Sequence, residues 1–520
     1  LQHGGKRIIT EAFRGVGKSH ITAAFACWCL FRDPQVKILV VSATQGRADA
    51  FSRFVKRLIG EIPFLKFLAP KAHQRNSNIE FDVGPAKNDQ SPSVKSASIS
   101  GQITGSRADI LVGDDLEVPR NSATESQREK LLTLVGEFNA ILKPTPDSRI
   151  IYLGTPQTQQ SLYNKLTERG YAIRIWPARY PADIDSYKGR LAPYIHENMD
   201  NNGAQIGDTT EPVRFSNEEL LEREASYGRS GFALQFQLDT SLSDALKYPL
   251  KLNDMMVMDL DESEAPIKLT WSSAEIIEGL PNLGFDGDRY VRPLKLSSEW
   301  SPYQKIVMSI DPSGSGADKT GYAVIAVIHG FLFVLEAGSA QGGYGDNTLT
   351  QLANIAKQWN VHDIIIEKNF GDGMFTNLFK PILYRTHQCH VDEVHHTKQK
   401  ERRIIDTIEP VLNRHKLVVN RSIIERDHRD NCDTGDIKHS LMYQLTHISK
   451  DRGSLRHDDA LDALAIAIAY HVEQMIIDEE VAEDSYILEQ KLAAVEAFLN
   501  EGSGGLFGKV THEIGSQYRL

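Results

Sequence analysis

Arg7-Ile8-Ile9-Thr10-Glu11-Ala12-Phe13-Arg14-Gly15-Val16-Gly17-Lys18-Ser19 decides the fold of the first half of the chain. A β-branched run ends in a glycine-bearing loop, and a helical pattern follows from Ser19 to Phe31. That strand–loop–helix setting is what a phosphate-cradling loop requires. Backbone N–H groups around Gly15 and Gly17 can approach phosphate oxygens, and the helix N-terminus adds partial positive charge. Lys18 reaches the β and γ phosphates, and Ser19 is placed to ligate Mg²⁺. Ala12 stands where such loops usually carry their first glycine. Arg14, inside the loop, has a guanidinium that cannot lose its charge, so it is the candidate for neutralising charge that develops during phosphoryl transfer.

Outward from this stretch, short β-rich runs alternate with helical ones up to about residue 180: KILVVS, then DILVG, then RIIYLG. The alternation predicts a parallel sheet with crossover helices. Asp109-Ile-Leu-Val-Gly-Asp114-Asp115-Leu-Glu117 is a hydrophobic strand ending in paired carboxylates, as expected of the group that holds Mg²⁺ and polarises water beside a nucleotide. Asp114 is assigned to Mg²⁺ and Asp115 to the water, with Glu117 as the alternative for the second role. Successive strand residues face opposite ways, so Asp114 and Asp115 share the site only if the strand has already ended. The third strand places Gly154 and Thr155 at a sheet edge, where a hydroxyl can sense the γ-phosphate.

Residues 181–300 lack this alternation and read as a linker or lid around one helical piece near Asn217–Tyr227. From 301 to 475 a second pattern begins: QKIVMSI, TGYAVIAVI and FLFVLEA, with His329-Gly330 as the hairpin turn, then alternating helix and strand. Asp311 ends the first of these strands, Glu367 ends DIIIE, and His457-Asp458-Asp459-Ala-Leu-Asp462 opens a helix. Acids at two strand ends and a helix start can converge above one sheet edge and hold two divalent cations. Asp458 and Asp462 share a helix face, as do Asp459 and Asp462, so spacing leaves open which of the three bind metal. This order of elements predicts a ribonuclease H-like domain. Lys398, Lys400, Arg402 and Arg403 lie between Glu367 and Asp458 and are expected to track a phosphate backbone.

The chain has 520 residues, 58 basic and 69 acidic, for a net charge of −11. Whole-chain disorder and a coiled-coil rod are excluded by a composition with 41% hydrophobic residues. Any nucleic-acid surface has to be locally basic, because the average charge repels DNA. Four cysteines, Cys27, Cys29, Cys389 and Cys432, lack zinc-ligand spacing and read as reduced thiols. The apolar stretch Ala463 to Tyr470 falls far short of the roughly 20 residues that span a bilayer, so no membrane segment is expected. Residues 476–520 continue an acidic run and read as a solvated tail.

The stretches EAFRGVGKS, KILVVSA, GSRADILVGDD, YLGTPQT, PVRF, DKTGYAV, NFGDGMF and HDDALDALA, spread over about residues 6–475, resemble the large terminase subunit of tailed bacteriophages, in particular the DNA maturase B type of short-tailed phages. The resemblance implies a RecA/ASCE-like P-loop ATPase domain (1–180) ahead of the ribonuclease H-like nuclease (301–475). It implies ATP with Mg²⁺, and Mg²⁺ or Mn²⁺ at the nuclease. Carried over to this sequence, Lys18 and Ser19 are phosphate and Mg²⁺ ligands, and Arg14 is the arginine supplied in cis. Asp114 and Asp115 are the acidic pair, and Gly154-Thr155-Pro156 is the coupling motif. Asp311, Glu367 and Asp458 or Asp459 are the nuclease triad, with Asp318 and Asp462 as helpers. The implied function is ATP-driven translocation of double-stranded DNA into a procapsid and cutting of concatemers. The implied partners are a portal protein, a small terminase subunit and further copies in a ring of five. The implied setting is the cytoplasm of an infected bacterium, transiently on the procapsid portal and not in the mature virion. Family members carry an adenine-contacting segment before the loop, and nothing precedes Leu1 here, so the natural N-terminus is expected to be missing. The competing readings are a repair-type helicase-nuclease and a nucleotide-switched structural adaptor.

Overall fold

The computed structural model describes residues 5–472 apart from 102, 104, 314–318 and 369–372. Asp318 and the acidic tail expected at 476–520 lie outside the described residues. Two seven-stranded sheets organise the described residues. The first contains β1 (Arg7–Ala12), β2 (Ile38–Ser42), β3 (Glu80–Phe81), β4 (Val94–Ser98), β5 (Ile110–Asp114), β6 (Arg149–Gly154) and β7 (Ala172–Trp176), in the order β3-β4-β2-β5-β6-β1-β7. Every neighbouring pair is parallel except β3 with β4. Every residue of β2 and β5 is buried, as expected of parallel strands covered on both faces. Because β6 lies between β1 and β5, its carboxyl end falls between the glycine loop and the Asp114 carboxylate. Ligands of open α/β sheets bind at such carboxyl ends.

The second sheet contains β8 (Met256–Met258), β9 (Lys305–Asp311), β10 (Thr320–Ile328), β11 (Phe331–Ala340), β12 (Asp363–Glu367), β13 (His390–Val394) and β14 (Leu417–Asn420), in the order β13-β12-β9-β10-β11-β14-β8. β9, β10 and β11 form an antiparallel meander, and the other neighbours are parallel. His329 and Gly330, both at positive φ, make the two-residue turn between Ile328 and Phe331, matching the twist of the flanking strands. The register Ile310↔Ile366 sets Asp311 and Glu367 side by side at the same sheet edge. A helix over residues 459–472 lies across this sheet, burying Ala460, Leu461, Leu464 and Ile468 against Ala323, Ile325 and Val334.

The 181–300 stretch does not stand apart as a linker. Tyr187, Leu191 and Ile195 belong to the core of the first sheet, and Phe215, Leu220, Phe232 and Phe236 enclose Phe13 beside the glycine loop. Leu250, Leu252, Met255, Val257 and Tyr290 enter the core of the second. Isolated aromatics and short apolar pairs do this packing, and they carry no period that marks them in the sequence. No helix among the described residues is long and apolar enough to cross a membrane. All four cysteines are free, with Cys27 and Cys29 buried.

Candidate active sites

At the carboxyl edge of the first sheet, Gly15 and Gly17 hold φ of 90° and 100°, a conformation that side chains resist, and Gly17 is the N-cap of the helix Lys18–Arg32. The loop backbone is anchored from both sides. Phe13 N–H donates to Trp176 O at 3.1 Å and Arg14 N–H to Gln235 O at 3.0 Å. The Lys18 ammonium donates to Ala12 O at 2.5 Å and lies 3.5 Å from Thr155 Oγ1. Its pKa is lowered by burial, against the pull of Asp115, Asp114 and Glu11.

Ser19 Oγ is 3.1 Å from each carboxylate oxygen of Asp114. Burial and the adjacent Asp115 push the Asp114 carboxyl up to about 6, opposed by Ser19, Lys18 and Arg47. β5 ends at Asp114, and Asp115 turns to φ 45°, its N–H donating to Leu153 O at 2.9 Å. The strand has therefore ended, and Asp114 and Asp115 both reach the site. Glu117 is committed elsewhere. It is 3% exposed, and its carboxylate accepts from Ser161 Oγ at 2.8 Å, Leu162 N–H at 2.6 Å and Gln157 N–H at 3.2 Å. It clamps the turn after β5 to the turn after β6.

Arg14, Lys18, Ser19, Asp115 and Thr155 line one pocket of about 390 Å³. Arg214 and Arg47 line it too, and the sequence reading assigned neither a role. The Arg214 guanidinium donates to Val16 O at 3.3 Å, and a Cβ on Gly17 would lie 3.1 Å from its Nη1. The neighbouring Phe215 stacks edge-on against Phe13 at 5.0 Å, seating Arg214 over the loop. Its only sequence signal is the PVRF stretch.

At the edge of the second sheet, carboxylate oxygens of Asp311, Glu367 and Asp462 lie within 4.8 Å of one another, all three residues buried. Asp458 joins through Lys400. The Lys400 ammonium lies 3.1 Å from Asp311, 2.9 Å from Asp458 and 3.0 Å from Asp462. Arg403 lies 2.7 Å from Asp462 and 3.5 Å from Glu367. His396 Nδ1 is 3.2 Å from Glu367. Burial first, and repulsion from Asp462 next, hold the Asp311 and Glu367 carboxyls well above the usual carboxylate range, with Lys400 opposing. The carboxyl groups of Asp311, Glu367, Asp458 and Asp462 meet the fixed cations Lys400 and Arg403, and a divalent cation would add positive charge to the set and favour its ionised form.

Two expectations change here. Asp459 is not among these acids; its carboxylate faces His439 and His457. Asp458 reaches the cluster from just before the helix and Asp462 from one turn inside it, while a carboxylate oxygen of Asp459 lies near His439 and His457. Lys400 and Arg403 do not belong to an exposed basic surface, because both are drawn into the acidic cluster, while Lys398 and Arg402 remain exposed.

A family model, the ribonuclease H-like domain of the bacteriophage T7 terminase, matches residues 310–417. The large terminase subunit of Enterobacteria phage T3 is 48% identical over 507 residues, covering 95% of this chain and 85% of the phage protein. Among solved structures, the large terminase of bacteriophage HK97 aligns with a TM-score of 0.39 at 12% identity, over 90% of this chain and 91% of that one. The large terminase of a thermophilic bacteriophage, in complex with ATP-gamma-S, aligns with a TM-score of 0.29 at 10% identity, over 89% and 93%.

Proposed function

The chain belongs to the large terminase subunits of tailed bacteriophages, ATP-driven DNA-packaging enzymes that carry a nuclease, and from that premise we propose how its residues divide the work. The reading rests on one observation above all. A single chain carries a Ser19–Asp114 pair beneath a glycine loop at the edge of one sheet and four carboxylates around Asp311 at the edge of the other.

In the first domain, Gly15, Gly17 and Lys18 hold the phosphates of ATP, and Ser19 with Asp114 holds Mg²⁺. Both donors are hard oxygens at the right place for that ion. Lys18 transfers its hydrogen bonds from the loop carbonyls to phosphate oxygens. Asp115 accepts the hydrogen bond that orients the attacking water, Arg14 neutralises the charge that develops, and Thr155 reports the γ-phosphate to the sheet edge. Glu117 supports Asp115 by fixing the two turns rather than by touching water.

In the second domain, Asp311, Glu367, Asp462 and Asp458 fit divalent cations, because the donor set is all carboxylate and is short of positive charge. Bound Mg²⁺ or Mn²⁺ would lower the pKa of water and stabilise a leaving 3′ oxygen. Arg403 keeps Asp462 and Glu367 oriented. Lys400 holds Asp311, Asp458 and Asp462 together until a cation replaces it.

ATP turnover would move double-stranded DNA into the procapsid, on a ring of five copies at the portal with a small terminase subunit, in the cytoplasm of the infected bacterium, and the enzyme would not remain in the mature virion. We assign residues 1–180 to the motor and 301–475 to the nuclease, with the intervening stretch shared between their cores. The test is purified protein with supercoiled plasmid, with and without Mn²⁺ and ATP, beside a forked duplex. The expected result is DNA-stimulated ATP turnover and Mn²⁺-dependent cutting without strand separation. ATP-dependent strand separation would instead support the helicase-nuclease reading, and absence of both activities the adaptor.

A further inference from the structure

A second cluster of metal-ligating side chains lies beside the nuclease carboxylates and shares no residue with the Asp311, Glu367 and Asp462 group. His439 ends the short turn Ile437–His439 and is 5% exposed, His457 precedes the helix over residues 459–472, and Asp459 opens it. One ligand atom from each lies within 4.8 Å of the other two. The two imidazoles stack with centroids 3.9 Å apart and planes 24° apart, so a shared ion requires one ring to turn out of the stack until its nitrogen points at the same place as the other's. We propose that His439, His457 and Asp459 form a separate metal site for a borderline transition ion such as Zn²⁺.

The donor chemistry separates this site from the nuclease. Two imidazoles and one carboxylate suit Zn²⁺ or Co²⁺, whereas an all-carboxylate set suits Mg²⁺ or Mn²⁺. The frame is rigid on both sides. The turn is held because Asp427 accepts from Ser440 Oγ at 2.6 Å and from Leu441 and Met442 N–H at 3.0 and 3.1 Å. The helix start is held because the backbone at Asp459 presses on Gly321 so closely that a Cβ there would lie 2.0 Å from Asp459 O. Asp436, itself 3.1 Å from Lys319, has a carboxylate oxygen 3.7 Å from His439 Nε2.

The ion would pin residues 437–439 to residues 457–459, and Asp458 sits between two of the ligands. The same segments meet the first domain: Glu125 accepts from Arg456 N–H at 3.1 Å and from Tyr443 Oη at 2.9 Å. The site therefore fixes a nuclease carboxylate at the junction of the two sheets.

The test uses the full chain, free of nucleotide, with Zn²⁺ measured by elemental analysis after gel filtration and Co²⁺ by visible absorption. One equivalent of Zn²⁺ and a Co²⁺ ligand-field spectrum are expected, both retained in Asp311→Asn and in the exposed-surface control His390→Ala. His439→Ala and His457→Ala should each weaken binding at least tenfold, and the isosteric Asp459→Asn should do so without loss of the circular dichroism spectrum. A wild-type chain without a Co²⁺ spectrum overturns the proposal, as does a spectrum that survives His439→Ala and Asp459→Asn or disappears with Asp311→Asn.

Discussion

Replacing Lys400 by methionine keeps the length of the stem and removes the charge that the acidic cluster holds. The ammonium touches three carboxylates at 2.9 to 3.1 Å. At about 3 Å and an effective dielectric constant of about 20, each such pair is worth about 5 kcal/mol of gross Coulomb energy. Most of that is returned as desolvation. The side chain is also 35% exposed, so solvent screens it. A divalent cation entering wild type has to displace what remains, which we set at about 2 kcal/mol, or about thirtyfold in affinity. Lys400→Met should therefore bind Mn²⁺ about thirtyfold more tightly, read by the loss of free-ion signal in an electron paramagnetic resonance titration. Without cations the variant leaves the four carboxyl groups without the charge of Lys400, at a cost of about 3 kcal/mol. The gap in melting temperature between EDTA and Mn²⁺ should widen accordingly. Asp311→Asn identifies the signal as the nuclease site. Mn²⁺ affinity within twofold of wild type would refute the idea that the lysine competes with the cation.

Four further outcomes follow from the geometry. Asp462→Asn should lower plasmid cleavage by about 10²-fold or more while ATP turnover stays, since a neutral amide is a poor ligand for hard cations; unchanged cleavage removes Asp462 from the centre. Lys18→Ala should abolish ATP hydrolysis and spare Mn²⁺-dependent cutting, and a folded variant that has lost both would mean the two sites are one. Asp115→Asn should keep the affinity for a fluorescent ATP analogue and lose turnover by about 10² to 10⁴, whereas Glu117→Gln should act first on the melting temperature, as expected of a clamp; the reverse pattern exchanges their roles. Burial, with Glu117 nearby, pushes the Glu11 carboxyl from 4.5 up to about 8. Its folded pKa is raised, so the stability linked to its proton is full below 4.5 and is lost as pH rises through 8. Glu11→Gln should flatten that fall and stand above wild type by about 1 kcal/mol or more at pH 9, seen in denaturant melts.

The fold class was legible because both sheets are made of short runs whose β-branched residues and turns are local signals. Ile38–Ser42 needs no partner to look like a buried strand, and His329-Gly330 announces its hairpin. The candidate sites were legible only to the extent that they sit at the ends of such runs. Asp311, Glu367 and Asp114 each close a strand, so their position is written next to them. Asp459 and Asp462 could not be ranked from spacing, because the choice depends on how residues 459–472 dock against Gly321, a contact 138 residues away in sequence (459 minus 321). Lys400 and Arg403 read as part of a basic cluster tracking a phosphate backbone for the same reason: the carboxylates they meet come from three other elements. Arg214 has no periodic context at all, and only the packing of Phe215 on Phe13 brings it to the glycine loop.

The placement of β8 bears on how the chain reaches this structure during synthesis. Met256 pairs with Val418, 162 residues further on (418 minus 256), so the strand made first in the second sheet is paired last. At roughly 5–20 residues per second, its partner leaves the ribosome some ~8–32 s later. Over that interval Met255, Met256 and Val257 have no sheet to enter, and the hairpin of β10 and β11, a local contact, can form ahead of it. The far edge of the nuclease sheet thus works as a completion mark. A chain interrupted between Ala340 and Leu417 leaves the β11 edge without its partner strand, which is the kind of surface that chaperones and proteases read.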